Sequence, residues 1–374
     1  MDRSRSAMGA KTLRGEYFSS PQVHQQEIEK IFRKKWICVG RASDIPRAGD
    51  CFLHELEGES FILVRDDQGR VNCFCNVCRH RGTRLHEESC GHFKTGIECP
   101  YHGWAYDLAG SLKSAPNMTG VEGFDLQDYS LHAVPSVVWQ GFVFINLDRD
   151  CTPFESCDGS ILSRFDDWGL EDLVSAHRVT YDIEANWKIV FQNYNECYHC
   201  SLVHPQLSPV TSVETASNDF TEGAFLGGPM ILSDNCDTIS TDGALCGDLF
   251  PRLSSEDRKR VYFYTLFPTL FISPHPDYVL THRIERQSSD STRVVCEWLF
   301  PQDVIERRGF DPTRAVEFWD LTNRQDWHVC ELNHKGVQSE SYQPGPYSNL
   351  ESTLVAFDRH YLKVMGEDEG GQAD

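Results

Sequence analysis

Two short pairs of metal-binding residues constrain this chain more than any other feature: Cys78-Arg79-His80 and, after eighteen intervening residues, Cys99-Pro100-Tyr101-His102. Each pair offers one thiolate and one imidazole on its own loop, so the fold must hold two loops facing each other. Two thiolates on one iron and two neutral imidazoles on the other suit a [2Fe–2S] cluster of the Rieske type. Exchanging two thiolates for neutral rings removes negative charge and raises the reduction potential, so the site suits an electron relay. A Cys3His zinc ribbon, read from Cys75-x2-Cys78 and Cys99-x2-His102, is the alternative, but it leaves His80 unused. Cys90-Gly91-His92 imitates a further arm without the following Arg-Gly, and reads as a loop variation.

A second candidate metal site follows a change of hydrophobic period. Val179, Tyr181, Ile183 and Ala185 alternate with polar residues, as in a half-buried strand. From Asn186, a good helix N-cap, Trp187, Val190, Phe191 and Tyr194 recur at helical spacing, which predicts a helix burying that stripe. Glu196 and His199 lie three apart and are expected on one face of this helix. His204 is five residues beyond His199, but Pro205 disfavours helical geometry at His204, so the helix should end there and let that ring swing back. Two imidazoles plus one carboxylate make the facial triad of non-haem Fe(II) oxygenases, which leaves open positions for O2 and substrate. No short spacing fixes the carboxylate. In a helical stretch from Thr313 to Asn333, expected to end before Gly336, Trp319, Thr322, Asp326 and Cys330 share a face, so Asp326 points inward and needs a partner. Asp320, Glu331, Glu351 and Asp358 remain open.

Composition bounds the rest. A chain of 374 residues with 40% hydrophobic and 24% charged residues suffices for two cored domains. A formal charge of −21 argues against nucleic acid and anionic membranes as partners. No run approaches the ~18 apolar residues of a membrane span, and the N-terminus has no signal-peptide core, so a cytoplasmic protein is expected. Fifteen cysteines, an odd count, fit reduced thiols and metal ligation better than a disulfide framework. No Gly-rich dinucleotide fingerprint follows a strand, so electrons from NAD(P)H must arrive through a separate reductase.

Residues 22–36 carry apolar positions at near-helical spacing behind Pro21 and predict a leading helix. Short β-rich runs, such as Ser60–Arg65 and Arg70–Cys75 joined by the hairpin signal Asp-Asp-Gln-Gly, fill the stretch from Asp50 to Asp148. Two alternating strands, Tyr278–Arg286 and Thr292–Phe300, indicate an antiparallel sheet, while 209–247 is expected to be a loop-rich lid or inter-subunit segment. The expected domains are a helical segment (1–45), an all-β cluster domain (46–155), an α+β catalytic domain (156–366) and an acidic tail (367–374).

Cys78-Arg-His-Arg-Gly82 and Cys99-Pro-Tyr-His-Gly-Trp104 closely resemble the cluster loops of Rieske oxygenase large subunits. Asn186-Trp-Lys-Ile-Val-Phe-Gln-Asn-Tyr-Asn-Glu-Cys-Tyr-His-Cys-Ser-Leu-Val-His-Pro205 resembles the mononuclear-iron segment of the same family, and the resemblance extends over essentially the whole chain. It implies Cys78, His80, Cys99 and His102 as cluster ligands, His199, His204 and Asp326 as iron ligands, and a helix-grip catalytic domain. It also implies that Glu196 bridges a cluster histidine of one subunit to an iron-ligand histidine of the next, hence a homotrimer. The implied activity is hydroxylation of a C–H bond with O2 and with electrons supplied by a flavin or ferredoxin-type reductase. An acidic carrier of that kind is expected to dock on a collar of Arg79, Arg81 and Arg84.

The run Ser341-Tyr-Gln-Pro-Gly-Pro-Tyr-Ser-Asn-Leu-Glu351 and Glu196-Cys-Tyr-His-Cys200 are similar to the branch acting on choline, glycine betaine, carnitine or stachydrine. A quaternary ammonium substrate calls for an aromatic cage, and 13 Tyr, 8 Trp and 22 Phe permit one without locating it. N-methyl hydroxylation would release formaldehyde. Choline-type monooxygenation, hydroxylation of an aromatic acid in a neutral or Arg-bearing pocket, and a non-catalytic Rieske electron carrier are the alternatives.

Overall fold

A computed structural model describes residues 9–156 and 161–367. The chain forms two compact units, one of Phe32–Phe154 and one that joins Met1–Ile31 to Glu155–Asp374. The leading segment 1–45 is therefore not a separate piece but divides between the two. All but Glu367 of the acidic tail lies outside the described residues.

The Phe32–Phe154 unit is built from short strands in three sheets. The largest orders Cys90–His92, Asp50–Leu56, Glu59–Arg65, Val71–Cys75 and Ala133–Val134. Its central hairpin turns where Asp66 accepts hydrogen bonds from the N–H groups of Gln68 and Arg70, both at 2.9 Å, which folds the Asp-Asp-Gln-Gly signal back on itself. Cys90-Gly91-His92 is an edge strand paired with Asp50–Phe52 rather than a loop variation, and His92 Nδ1 lies 2.8 Å from Asp50 Oδ1. A second sheet of Ile97–Glu98, Ala105–Tyr106 and Leu112–Ser114 presents the other candidate cluster loop. Ile62, Val64, Phe74, Trp104 and Tyr106 are buried together with Cys78 and Cys99 in one apolar cluster.

In the other unit six antiparallel strands run in the order Leu173–Ile183, Thr292–Pro301, Val279–Arg286, Leu270–Pro274, Arg260–Leu266 and Phe225–Ile231. The strands expected at Tyr278–Arg286 and Thr292–Phe300 are there within one residue at each end. The stretch 209–247 is not simply a lid, because Phe225–Ile231 is an edge strand of the sheet. Gly227 and Gly228 make it possible: a Cβ on Gly227 would meet Phe263 O at 2.0 Å, and one on Gly228 would meet Ser217 O at 2.2 Å. The Gly-rich composition that suggests a loop instead allows close backbone packing.

Several helices serve this unit. Trp187–Tyr194 buries Trp187, Val190 and Phe191, and Phe191 stacks on Phe357 of the Ser352–Met365 helix with ring centroids 4.6 Å apart. Thr313–Val337 is longer than expected and passes through Gly336, which has open space around it and causes no break. The leading helix is shorter than 22–36: Pro21–Glu27 is α-helical and Ile28–Phe32 continues as one π turn. Its Glu27 carboxylate receives Lys188 Nζ at 2.5 Å, Trp187 Nε1 at 3.1 Å and the Tyr361 hydroxyl at 2.7 Å, a buried cation held among three donors to one anion. Among the described residues no helix is long and apolar enough to cross a membrane.

Candidate metal centres and active site

The two cluster loops are closed the same way. Gly82 N–H donates to Cys78 O at 3.0 Å, and Gly103 N–H donates to Cys99 O at 3.1 Å. Cys78 N–H donates to Thr83 O and Cys99 N–H to Trp104 O, both at 2.8 Å. Both glycines sit in the left-handed region, at φ +75° and +68°, where a Cβ is strained. Cys78 and Cys99 are buried, and the His80 and His102 ring centroids lie 4.6 Å apart. His80 stacks on Trp104 at 4.9 Å, and its buried Nδ1 has no hydrogen-bond partner. The Tyr106 hydroxyl lies 3.4 Å from Cys78 Sγ and accepts the Arg79 N–H at 3.1 Å, so its own proton is free to point at sulfur. Burial raises the Cys78 thiol, opposed by Tyr106 and reinforced by Cys99.

Paired buried thiols facing paired rings, one with an orphaned nitrogen, fit a [2Fe–2S] group. The zinc alternative fits less well, because Cys75 belongs to a strand in register with Phe61. The expected arginine collar is only partly present. Arg84 pairs with Glu55 and Arg79 donates to Ser130 O at 2.6 Å, whereas Arg81 lies over the Tyr101 ring, 5.4 Å from its centroid.

The second site is assembled where the Trp187–Tyr194 helix stops. Asn186 caps its start, accepting Lys188 N–H at 3.0 Å. At the other end Asn195 Nδ2 turns back to Phe191 O at 2.8 Å. Glu196 and His199 therefore lie beyond this helix, not on its face as the periodicity suggests. The Glu196 carboxylate accepts the backbone N–H of Tyr198 and of His199, just before the short Cys200–Val203 helix. His204 follows at φ −120° and ψ 70°, outside helical geometry as Pro205 requires.

Each of the two rings has a partner on Nδ1: His199 bonds to Glu196 Oε1, and His204 lies 2.8 Å from Gln325 Oε1. Gln206 Nε2 donates to that same Gln325 oxygen at 2.7 Å and to Thr322 Oγ1 at 3.1 Å, which fixes the amide's orientation. Both imidazoles thus carry their proton on Nδ1 when neutral and turn bare Nε2 atoms inward. There they meet a single atom, Asp326 Oδ1, at 3.2 Å from His199 and 2.9 Å from His204. Three lone pairs aimed at one point repel unless a cation or proton sits among them. Burial opposes charge on His199, yet hydrogen bonds with Asp326 and Glu196 raise it to about 10, and burial of Asp326 is outweighed by the two histidines, which lower it. The site attracts positive charge, and its donor set fits a 2-His-1-carboxylate iron.

The other carboxylates are engaged elsewhere. Asp320 bonds Tyr181 and Arg324, Asp358 bonds Gln192 and Tyr347, Glu351 accepts Ser348 N–H, and Glu331 accepts Glu184 N–H. Cys200 lies near both histidines but is joined to Cys197, so its sulfur is not a free thiolate. That bond, bracketing His199, departs from the expectation that all thiols are reduced.

A cavity of about 120 Å³ opens onto these residues. Tyr194, Phe263 and Trp319 form one ring wall, with centroids of successive rings 6.2 and 6.1 Å apart. The Tyr194 hydroxyl bonds Ser273 and Trp319 Nε1 donates to the Tyr278 hydroxyl, so both polar tips are satisfied within the protein. Phe263 and the small Gly227–Met230 edge escape sequence reasoning, because nothing local separates a pocket ring from a core ring. From the Ser341–Glu351 run, Leu350 reaches the cavity.

Residues 170–367 match the family described as ring hydroxylating alpha subunit (catalytic domain), and residues 35–129 match the Rieske [2Fe-2S] domain. The chain is 28% identical to the glycine betaine monooxygenase oxygenase subunit of Pseudomonas aeruginosa (strain UCBPP-PA14), over 93% of this chain and 87% of that one. It is 26% identical to the chloroplastic choline monooxygenase of Arabidopsis thaliana, over 95% of this chain and 84% of that one. The crystal structure of the quaternary ammonium Rieske monooxygenase CntA with an inhibitor superposes with a TM-score of 0.82 at 25% identity, covering 97% of each chain. With the catalytic family spanning more than half of its length, the chain belongs to the ring-hydroxylating alpha subunits of Rieske oxygenases, oxidoreductases with a Rieske [2Fe–2S] cluster and a mononuclear non-haem iron.

Proposed function

We propose that this chain is the terminal oxygenase of a multicomponent system and hydroxylates an N-methyl carbon of a small quaternary ammonium compound. The hemiaminal formed would collapse to formaldehyde and the demethylated amine. The cluster and the iron, when bound, supply single electrons and the centre for O2 chemistry. Cys78, His80, Cys99 and His102 hold the cluster, and His199, His204 and Asp326 hold the iron. Glu196 and Gln325 fix the Nδ1 tautomers, keeping both Nε2 lone pairs on the metal side. Electrons come from NAD(P)H through a separate reductase. By family resemblance, Glu196 would also link a neighbouring subunit's cluster histidine to this site in a homotrimer.

The observation that carries the reading is the ring wall of Tyr194, Phe263 and Trp319 in the cavity that also contains the three converging donors. Ring faces with their polar tips already bonded suit a cation that offers no hydrogen-bond donor. At about 120 Å³, the cavity is well below the ~300 Å³ lower range of drug-sized sites and of the order of the ~150 Å³ that accommodates one benzene. A compact substrate fits that size. The Arg-bearing pocket that would mark an aromatic acid is not formed here, because among the described residues that line the cavity there is no arginine. A mere electron carrier needs neither the cavity nor the converged donors.

The test is reductase-coupled O2 uptake on iron-replete protein with formaldehyde measured alongside. Formaldehyde matching the O2 consumed with one quaternary amine supports demethylation. O2 uptake with choline and no formaldehyde moves hydroxylation to the carbinol carbon. Uptake confined to aromatic acids overturns the quaternary ammonium reading.

A further inference from the structure

We propose that the cavity selects a quaternary ammonium compound with an uncharged, hydroxyl-bearing tail over a zwitterion with a carboxylate tail, an assignment that rests on the quaternary ammonium reading above. The two kinds of substrate share the trimethylammonium head and differ in what the rest of the cavity must solvate. The cavity's charged lining is one-sided: Glu196 and Asp326 are present, and among the described lining residues there is neither Lys nor Arg.

The neutral donors are largely engaged as well. Asn195 Nδ2 donates to Phe191 O at 2.8 Å, while its Oδ1 accepts the Thr265 hydroxyl at 3.0 Å. Asn218 Nδ2 donates to Thr353 Oγ1 at 3.2 Å. Among the lining residues, the hydroxyls of Ser217 and Ser352 can each donate or accept, and Trp327 Nε1 and His282 Nδ1 are buried without a partner. A substrate carboxylate placed here leaves water without a Lys or Arg partner, which is unfavourable. A substrate hydroxyl asks only for the donor or acceptor that a serine supplies.

The experiment compares choline with glycine betaine, which differ by CH2OH against COO−, on the reductase-coupled, iron-replete enzyme. The uncharged isostere 3,3-dimethyl-1-butanol is the control for the cation. The proposal expects kcat/KM for choline at least tenfold above that for glycine betaine, with the difference chiefly in KM. Glycine betaine equal to or better than choline overturns the tail assignment while leaving the quaternary ammonium reading intact. Turnover of 3,3-dimethyl-1-butanol equal to that of choline, or none with any quaternary amine, overturns the reading beneath it. As a second arm, Ser352→Lys supplies the missing cation and should narrow the choline-to-betaine ratio at least threefold. A folded, iron-replete variant with an unchanged ratio overturns the proposal.

Discussion

His199 and His204, the proposed iron ligands, each turn Nε2 inward only because another side chain occupies the far side of the ring. Gln325 accepts from His204 and is itself oriented by Gln206. Gln325→Ala should leave His204 free to rotate or change tautomer and weaken Fe(II) binding about 10–100-fold, measured by metal titration of iron-depleted protein. Unchanged affinity would show that packing alone orients the ring. In the cluster loops, Tyr106→Phe removes the hydroxyl that lies 3.4 Å from Cys78 Sγ. With one hydrogen bond to a cluster sulfur fewer, the reduced state loses stabilisation and the potential should fall. An EPR-monitored redox titration reads the shift, and an unmoved potential would mean that the hydroxyl proton points elsewhere. Asp326 is legible in the sequence from the inward face it shares with Trp319 and Thr322, and the release of His204 from Pro205. The partnership of His204 with Gln325 is not, because those residues are brought together across 121 positions of chain by the fold alone.

At the scale of elements, local period reports burial faithfully and element ends poorly. The apolar stripe from Trp187 to Tyr194 is helical as expected, but the helix stops one residue later because Asn195 turns its amide onto Phe191 O and Glu196 accepts the Tyr198 and His199 N–H groups. Such side-chain competition for backbone groups has no hydrophobic signature. Gly336 misleads in the opposite direction, since a lone glycine weakens a helix without ending it. The Phe225–Ile231 strand hides behind its own Gly227-Gly228. Gly228→Ala would put a Cβ 2.2 Å from Ser217 O and 2.6 Å from Asp219 Oδ1. We expect a loss of about 1–3 kcal/mol or more in denaturant unfolding, with the edge strand exchanging amide hydrogens faster. Wild-type stability for that variant would contradict the close packing described.

At the scale of the molecule, buried charge couples distant parts of the chain. Glu27→Gln would leave Lys188 fully buried without its anion, and should cost about 3–5 kcal/mol of stability in chemical denaturation. Asp358 lies buried beside Tyr347 and Gln192, and burial, opposed by the hydrogen bonds from those two, raises its carboxyl to about 7. An unfolded aspartate titrates near ~3.9, so between about pH 4 and 7 the native state retains a proton that the unfolded state has lost. Its contribution to stability falls as pH rises through that window, by up to about 1.4 kcal/mol per pH unit. Asp358→Asn should remove that one-proton slope, and an unchanged slope would show that the carboxyl is already ionised.

The paired Cys and His residues of the candidate centres stand out in the sequence because their spacings are short. The cavity does not, because its walls come from the sheet, four helices and the chain near Leu350. The central claim is that one chain holds both centres, with Asp326 completing the second. Iron content per chain together with the cluster's EPR signal tests it most directly. Wild-type protein should contain about three irons, two of them in the Rieske cluster. Asp326→Ala should keep the Rieske signal, drop to about two irons and lose substrate-dependent O2 uptake. A variant that retains its third iron and its turnover would contradict the account.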